Sequence, residues 1–259
     1  MVLDVEHRDS VAIATLTAEA ARNAFSSQSM QVISDTLNEL MDDESVRAIV
    51  ITGTGRFFCA GADIVEFQRC IAEDRIASLV EDLTSILHPL QVRMRTDSTI
   101  LVAAINGAAA GGGLGLALAC DARIASPQAK LASAFFKLGL SPDGGTTWLL
   151  PRLVGNQITK RFFFNDEIWS GEEALNVGAV DEVVPEKDLI ERAVELAENW
   201  GSWANFSRSG TKQLLDASTS TFFQTQLEFE QALIIAASST DNFAEGVSAF
   251  LEKRGPKFD

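Results

Sequence analysis

The run Ala104-Ile105-Asn106-Gly107-Ala108-Ala109-Ala110-Gly111-Gly112-Gly113-Leu114-Gly115 puts three consecutive glycines after a β-branched stretch, Ile100 to Ile105, and ahead of a helix-prone segment, Leu114 to Cys120. Strand, glycine turn and helix start together aim backbone N–H groups at a developing negative charge. A side chain there would hold a ligand's oxygen away from the amide. Three other readings compete. The window Ile100 to Cys120 carries no charge and is long enough to span a bilayer, but its five glycines and Asn106 argue against a membrane helix. A dinucleotide turn would need a third glycine where Leu116 follows Gly111-x-Gly113. A glycine turn that only permits tight packing stays open.

Asp143, in Ser141-Pro142-Asp143-Gly144-Gly145, reads on its own as the N-cap of the helix expected from Thr146 to Leu153. His88 sits beside Pro89 on a long amphipathic stretch, where a lone histidine is ordinarily a packing or surface residue. Cys59, Cys70 and Cys120 are odd in number and lack metal-ligand spacing, and with only His7 and His88 a zinc site is poorly supplied, so no metal is expected. The chain has no tyrosine, which removes the phenol as a candidate acid. Lys253, Arg254 and Lys257 form the one dense basic cluster near a terminus, either a phosphate contact or ordinary solubilising charge.

These residues need elements to position them. Val11–Leu16, Ala48–Thr52, Ile100–Ile105, Ala122–Ala125 and Lys130–Phe136 read as strands. Helices are expected over Ser29–Met41, from Asp63 through Phe67, and over Ala77–Arg95, the last with a kink or break at Pro89. Phe57-Phe58-Cys59-Ala60-Gly61-Ala62-Asp63 is a short apolar run closing in small residues. Alternating strands and helices indicate α/β, and from Leu189 onward the pattern turns helical, including Phe222–Ala237 and Asn242–Lys253. Phe162, Phe163 and Phe164 are expected to be buried at a helix or subunit contact.

With 259 residues, 46% hydrophobic and 22% charged, the chain can bury a full core and is not disordered. Its net charge of −15 argues against nucleic acid and anionic membrane as partners, and any phosphate-bearing ligand needs a local basic patch. Met1-Val2-Leu3-Asp4 does not begin a signal peptide, and the cysteine usage suits a reducing cytoplasm.

The glycine run, Cys59-Ala60-Gly61-Ala62-Asp63 and Pro142-Asp143-Gly144-Gly145, taken in that order, make the chain resemble the crotonase superfamily over nearly its whole length. The resemblance implies a spiral of repeated ββα units over residues 1–188, a helical region over 189–259, and trimers that often pair into hexamers. It implies a coenzyme A thioester as substrate and no separate cofactor. Two backbone N–H groups that grip the thioester carbonyl fall on Ala62 and Gly112, with Ala60, Asp63, Ile64, Gly111, Phe135, Leu138 and Lys257 around the ligand. Arg22 lies near the nucleotide end of CoA in relatives. The two glutamates of the hydratases fall on Gly115 and Phe135, neither of which moves a proton. Phe136 to Arg152 instead is similar to the phenylacetyl-CoA ring-epoxide isomerases and related enoyl-CoA isomerases, where one aspartate, here Asp143, shuttles a proton. The 4-chlorobenzoyl-CoA dehalogenases pair an aspartate at Asp143 with a histidine at His88, and use a tryptophan where this chain has Phe135. The expected function is therefore an acyl-CoA isomerase. A hydratase, a dehalogenase-like hydrolytic enzyme, and an inactive CoA-binding protein are the alternatives.

Overall fold

A computed structural model describes residues 2–17 and 21–258; Met1 and Asp259, the outer bounds of the two expected regions, lie outside it. The larger sheet runs β1 (Leu3–Arg8), β2 (Val11–Leu16), β3 (Ala48–Gly53), β5 (Ile100–Ile105), β7 (Ala122–Ala125) and β10 (Glu182–Val183). β1 pairs antiparallel with β2, and every later pair is parallel. A second sheet runs β4 (Phe57–Cys59), β6 (Ala108–Ala110), β8 (Lys130–Ala132) and β9 (Ile168–Ser170). Neighbours β3, β5 and β7 in one sheet are each followed by β4, β6 and β8 in the other, then by a helical stretch. This is the expected spiral of ββα turns.

The central parallel strands β3 and β5 are apolar and rich in β-branched and small residues because both faces are covered. Alternate residues go to different cores. Ile49, Ile51, Leu101, Ala103 and Ile105 face α1 (Ser27–Asp42), α3 (Ile76–Thr96) and α4 (Gly112–Ala119). Ala48, Val50, Ile100, Val102 and Ala104 face Leu189, Ala193, Val194 and Ala197 of α8 (Leu189–Gly201). The first helix past residue 188 is therefore built into the sheet's second face. The remaining helices are α2 (Ile64–Ala72), α5 (Thr146–Val154), α6 (Asn156–Phe164), α7 (Gly171–Val177), α9 (Asn205–Ser218), α10 (Phe223–Ala237) and α11 (Asp241–Glu252).

Two local expectations are corrected. The strand expected over Lys130–Phe136 stops at Ala132, because Ala134 adopts a left-handed φ of 58°, and Phe136–Leu138 form a turn of 3-10 helix. The break expected at Pro89 does not occur: α3 runs through it, with Pro89 and Ser85, whose carbonyl loses its helical donor, both on the exposed side. Phe162 and Phe163 are buried within the chain, as expected, while Phe164 is 73% exposed on α6, which leaves the subunit contact as its expected cover.

Candidate active site

Two chain segments meet at the glycine run. β4 ends at Cys59 and runs on into Ala60-Gly61-Ala62, and α4 begins at Gly112 after β6. Gly61 has φ +81°, and a methyl group on it would stand 2.7 Å from the Ala110 carbonyl oxygen and 3.1 Å from the Gly112 nitrogen. Only glycine lets the two backbones come this close. The strand-like bridge between Phe25 and Ala62 uses the Gly61 carbonyl (2.7 Å from the Phe25 N–H) and the Asp63 N–H (2.9 Å to the Phe25 carbonyl). It passes over the Ala62 N–H, which has no backbone acceptor among the described residues. The Gly112 N–H is equally free, because it opens α4 and first-turn amides have no intrahelical partner. Two unpaired amides and a helix N-terminus thus lie side by side, a setting suited to an oxygen that gains negative charge.

Apolar side chains wall this corner. Built on Gly112, a methyl group would lie 3.2 Å from the Phe25 ring and 3.4 Å from Leu87; built on Gly111, it would lie 3.9 Å from the tip of Phe135. The left-handed Ala134 is what turns Phe135 back toward Gly111. Neither Phe25 nor Leu87 was singled out from sequence. The Cys59 thiol beneath is pushed up to about 12 by burial, so it stays protonated.

Asp143 stands opposite, on a turn in which Gly144 and Gly145 both have positive φ, 61° and 70°. Its backbone carbonyl accepts from the Thr146 hydroxyl at 2.8 Å, but its carboxylate does not cap α5, whose N-cap is Gly145 with no side-chain bond. The carboxylate instead lies 2.9 Å from Nε2 of His88 on α3, and both side chains are about half exposed. The N-cap reading of Asp143 therefore gives way to a carboxylate paired with an imidazole, while His88 lies at the surface, one of the two settings expected for it. Gln91, one turn further along α3, donates from Nε2 to the Gly144 carbonyl at 2.9 Å.

The two positions where hydratases carry glutamate are closed. A methyl group on Gly115 would fall 2.1 Å from the Gly144 carbonyl oxygen, and Phe135 is buried. Asp63 caps α2, its carboxylate accepting from the Val65 N–H at 2.9 Å, while Ile64 and Leu138 are exposed beside the site's two edges. Arg22 is drawn toward the corner by its carbonyl, which accepts from the Ala60 N–H at 3.3 Å, and Asn23 anchors the segment with 2.7 Å to the Phe57 carbonyl. Lys257 is not brought to the site within this chain. Its N–H binds Glu245 at the carboxyl-terminal end, where Arg254 is also paired and holds the Glu245 carboxyl down to about 2.

Comparison with known proteins agrees with this geometry. Residues 6–259 match the family model described as enoyl-CoA hydratase/isomerase. The chain is similar to the 1,2-epoxyphenylacetyl-CoA isomerase of Escherichia coli, 33% identical over 94% of this chain and 93% of that protein. It is equally similar to the 2,3-dehydroadipyl-CoA hydratase of the same organism, 33% identical over 99% and 98%. Its fold superposes on the crystal structure of an enoyl-CoA hydratase from Bacillus anthracis with a TM-score of 0.91, at 30% identity over 100% and 99% of the two chains. A spiral of ββα turns, a glycine-lined pair of free amides and these matches along the whole chain place the protein in the enoyl-CoA hydratase/isomerase family, within the crotonase superfamily of enzymes.

Proposed function

We propose that the protein is an acyl-CoA isomerase that moves a double bond, or opens a strained ring, beside a coenzyme A thioester. The thioester carbonyl oxygen sits between the Ala62 and Gly112 amides, and Arg22 meets the phosphates at the nucleotide end. In the double-bond shift Asp143, as the carboxylate, removes a proton from an acyl carbon; the C–H electrons move through the conjugated system onto the carbonyl oxygen, where the amides stabilise the enolate. Asp143 then returns the same proton to a different carbon, and the electrons flow back. Atoms and charge balance with one carboxylate, so the step calls for neither a metal nor a redox cofactor; CoA enters only as part of the substrate. The observation that carries this reading is the Gly144 carbonyl lying where a side chain on Gly115 would start, which leaves Asp143 as the carboxylate at this corner. Asp143→Asn keeps the shape but loses the base. A fall in kcat of about 100-fold or more is expected, with CoA-thioester affinity and melting temperature held. Full activity in this variant would overturn the assignment.

The His88–Asp143 contact favours a second reading. In it Asp143 is a nucleophile that displaces a leaving group from the acyl portion and forms an ester, and His88 takes a proton from the water that cleaves it. One turnover in 18O-water separates the two, because only the ester route leaves the label in the Asp143 carboxylate or the product. Hydration by Asp143 alone is the remaining alternative; faster hydration than isomerisation of enoyl-CoA would favour it. The three cysteines are free, and among the described residues no helix is long and apolar enough to cross a membrane, which supports a place for the enzyme in a reducing cytoplasm.

A further inference from the structure

We infer that Gln91 is a positioning residue for proton transfer: it fixes the distance between Asp143 and the Gly112 amide. The inference rests on the proposed role of Asp143. α3 buries Leu79, Leu83, Leu87, Leu90 and Met94, and Gln91 is the one polar residue among its buried positions, 7% exposed. A primary amide is costly to bury without a partner, so what it binds is the reason it is there. It binds the Gly144 carbonyl at 2.9 Å. That carbonyl is next in the chain to Asp143 and is the group that fills the space over Gly115, while a methyl group on Gly144 would stand 3.3 Å from the Gly112 Cα.

The turn has little rigidity of its own. Gly144 and Gly145 are both left-handed and have no side chains to lock a conformation, so the peptide between them has many accessible orientations. α3 removes that freedom at two adjacent points, with His88 holding the carboxylate of Asp143 and Gln91 holding the following carbonyl. Without the Gln91 bond the carbonyl keeps its buried setting but loses its donor, and the cheapest relief is rotation of the peptide toward water. The same rotation carries Asp143 away from Gly112, where an error of about 1 Å is worth on the order of 100-fold in rate.

The test measures double-bond migration of 3-butenoyl-CoA by the full-length enzyme across a range of pH. Gln91→Leu, which cannot donate, is expected to lower kcat by roughly 10- to 100-fold, with KM within about 2-fold and the melting temperature nearly constant. Gln91→Glu is isosteric and donates to the Gly144 carbonyl only when protonated. Its activity relative to wild type is expected to rise as pH falls, the wild-type profile serving as control for His88 and Asp143. Wild-type kcat in both variants overturns the inference, as does parallel loss of kcat, KM and melting temperature in Gln91→Leu without acid recovery in Gln91→Glu. Asp143→Asn, run alongside, separates the layers. If it is inactive and the Gln91 variants are normal, only the positioning role fails; if it is active, the role of Asp143 fails first.

Discussion

A carboxylate that is to take a proton from carbon has to be kept off the backbone, and the turn around Asp143 does this by handing the cap of α5 to Gly145. The Thr146 hydroxyl satisfies the Asp143 carbonyl, so nothing local competes for its side chain except His88. The same turn makes Gly115 sensitive. Gly115→Ala would drive a methyl group into the Gly144 carbonyl oxygen, 2.1 Å away, a backbone group that Gln91 also holds. Overpacking of this kind costs about 1–3 kcal/mol, and a loss of several degrees in a thermal melt is expected; an unchanged melt would show that the turn can give way. Cys59 and Cys120 make a contrasting residue-scale case. Burial pushes both thiols up to about 12, so iodoacetamide at neutral pH should leave both unmodified in the native protein, and mass spectrometry reads this directly. Asp143 was legible as a candidate because its turn is local in sequence. Its partner was reached only through the resemblance to the dehalogenases, because His88 lies 55 residues away and the packing of α3 on the turn is what brings the two together. Gln91 carries no motif at all, and the one available signal was a polar residue on an otherwise apolar helix face.

Elements whose side chains carry their own preference were legible: β2 and β5 are apolar runs rich in β-branched and small residues, and α1 and α3 have the helical period. β6 was not, since Ala108-Ala109-Ala110 has no strand preference and is extended only because β4 and β8 flank it. β8 was overextended for the opposite reason: Phe135 and Phe136 look strand-forming, but Ala134 turns the chain so that Phe135 reaches Gly111. A second long-range tie holds α9 to the sheet. Lys212 lies 2.8 Å from Asp121 at the start of β7 and also donates to the Thr99 carbonyl at 2.8 Å, with both side chains nearly buried. Burial pushes the Asp121 carboxyl up, and Lys212 opposes that shift. Lys212→Met leaves a buried carboxylate without its counter-charge, so a loss of about 3–5 kcal/mol is expected in a denaturant melt. The sign of its pH dependence follows. A carboxyl whose folded value is raised contributes stability at low pH and loses it as pH rises. The variant's deficit should therefore be largest near neutrality and shrink in acid as Asp121 takes up a proton. A deficit that does not vary with pH would mean that lost packing, and not the charge, is responsible.

At the scale of the whole molecule, two fields pull in opposite directions. The chain carries a net charge of −15, which repels copies of itself and anionic ligands alike. Yet no residue of α10 is buried within the chain, and Phe222 (87% exposed), Phe250 (84%), Phe223, Ile234, Ile235 and Leu251 leave apolar surface on and around α10 and α11. Soluble monomers rarely expose a face of this kind, so the helical region is proposed to assemble the protein into a trimer or a pair of trimers. The excess of apolar surface past Leu189 was legible in the sequence, but which helices leave it exposed was not, because the same pattern serves a helix buried in its own chain, as α8 is. The two fields give the proposal a signed test. Salt screens the repulsion between acidic copies while leaving the apolar contact in place, so raising ionic strength should hold or strengthen association in light scattering. The same salt should weaken CoA binding if Arg22 captures phosphate through charge, as proposed, and Arg22→Ala should then both raise the CoA dissociation constant and flatten its salt dependence. Ile234→Asp with Ile235→Asp, on α10 and away from Asp143 in the chain, should release monomers. A wild-type monomer at micromolar concentration would sink the assembly, and a CoA dissociation constant indifferent to both salt and Arg22 would remove Arg22 from the site.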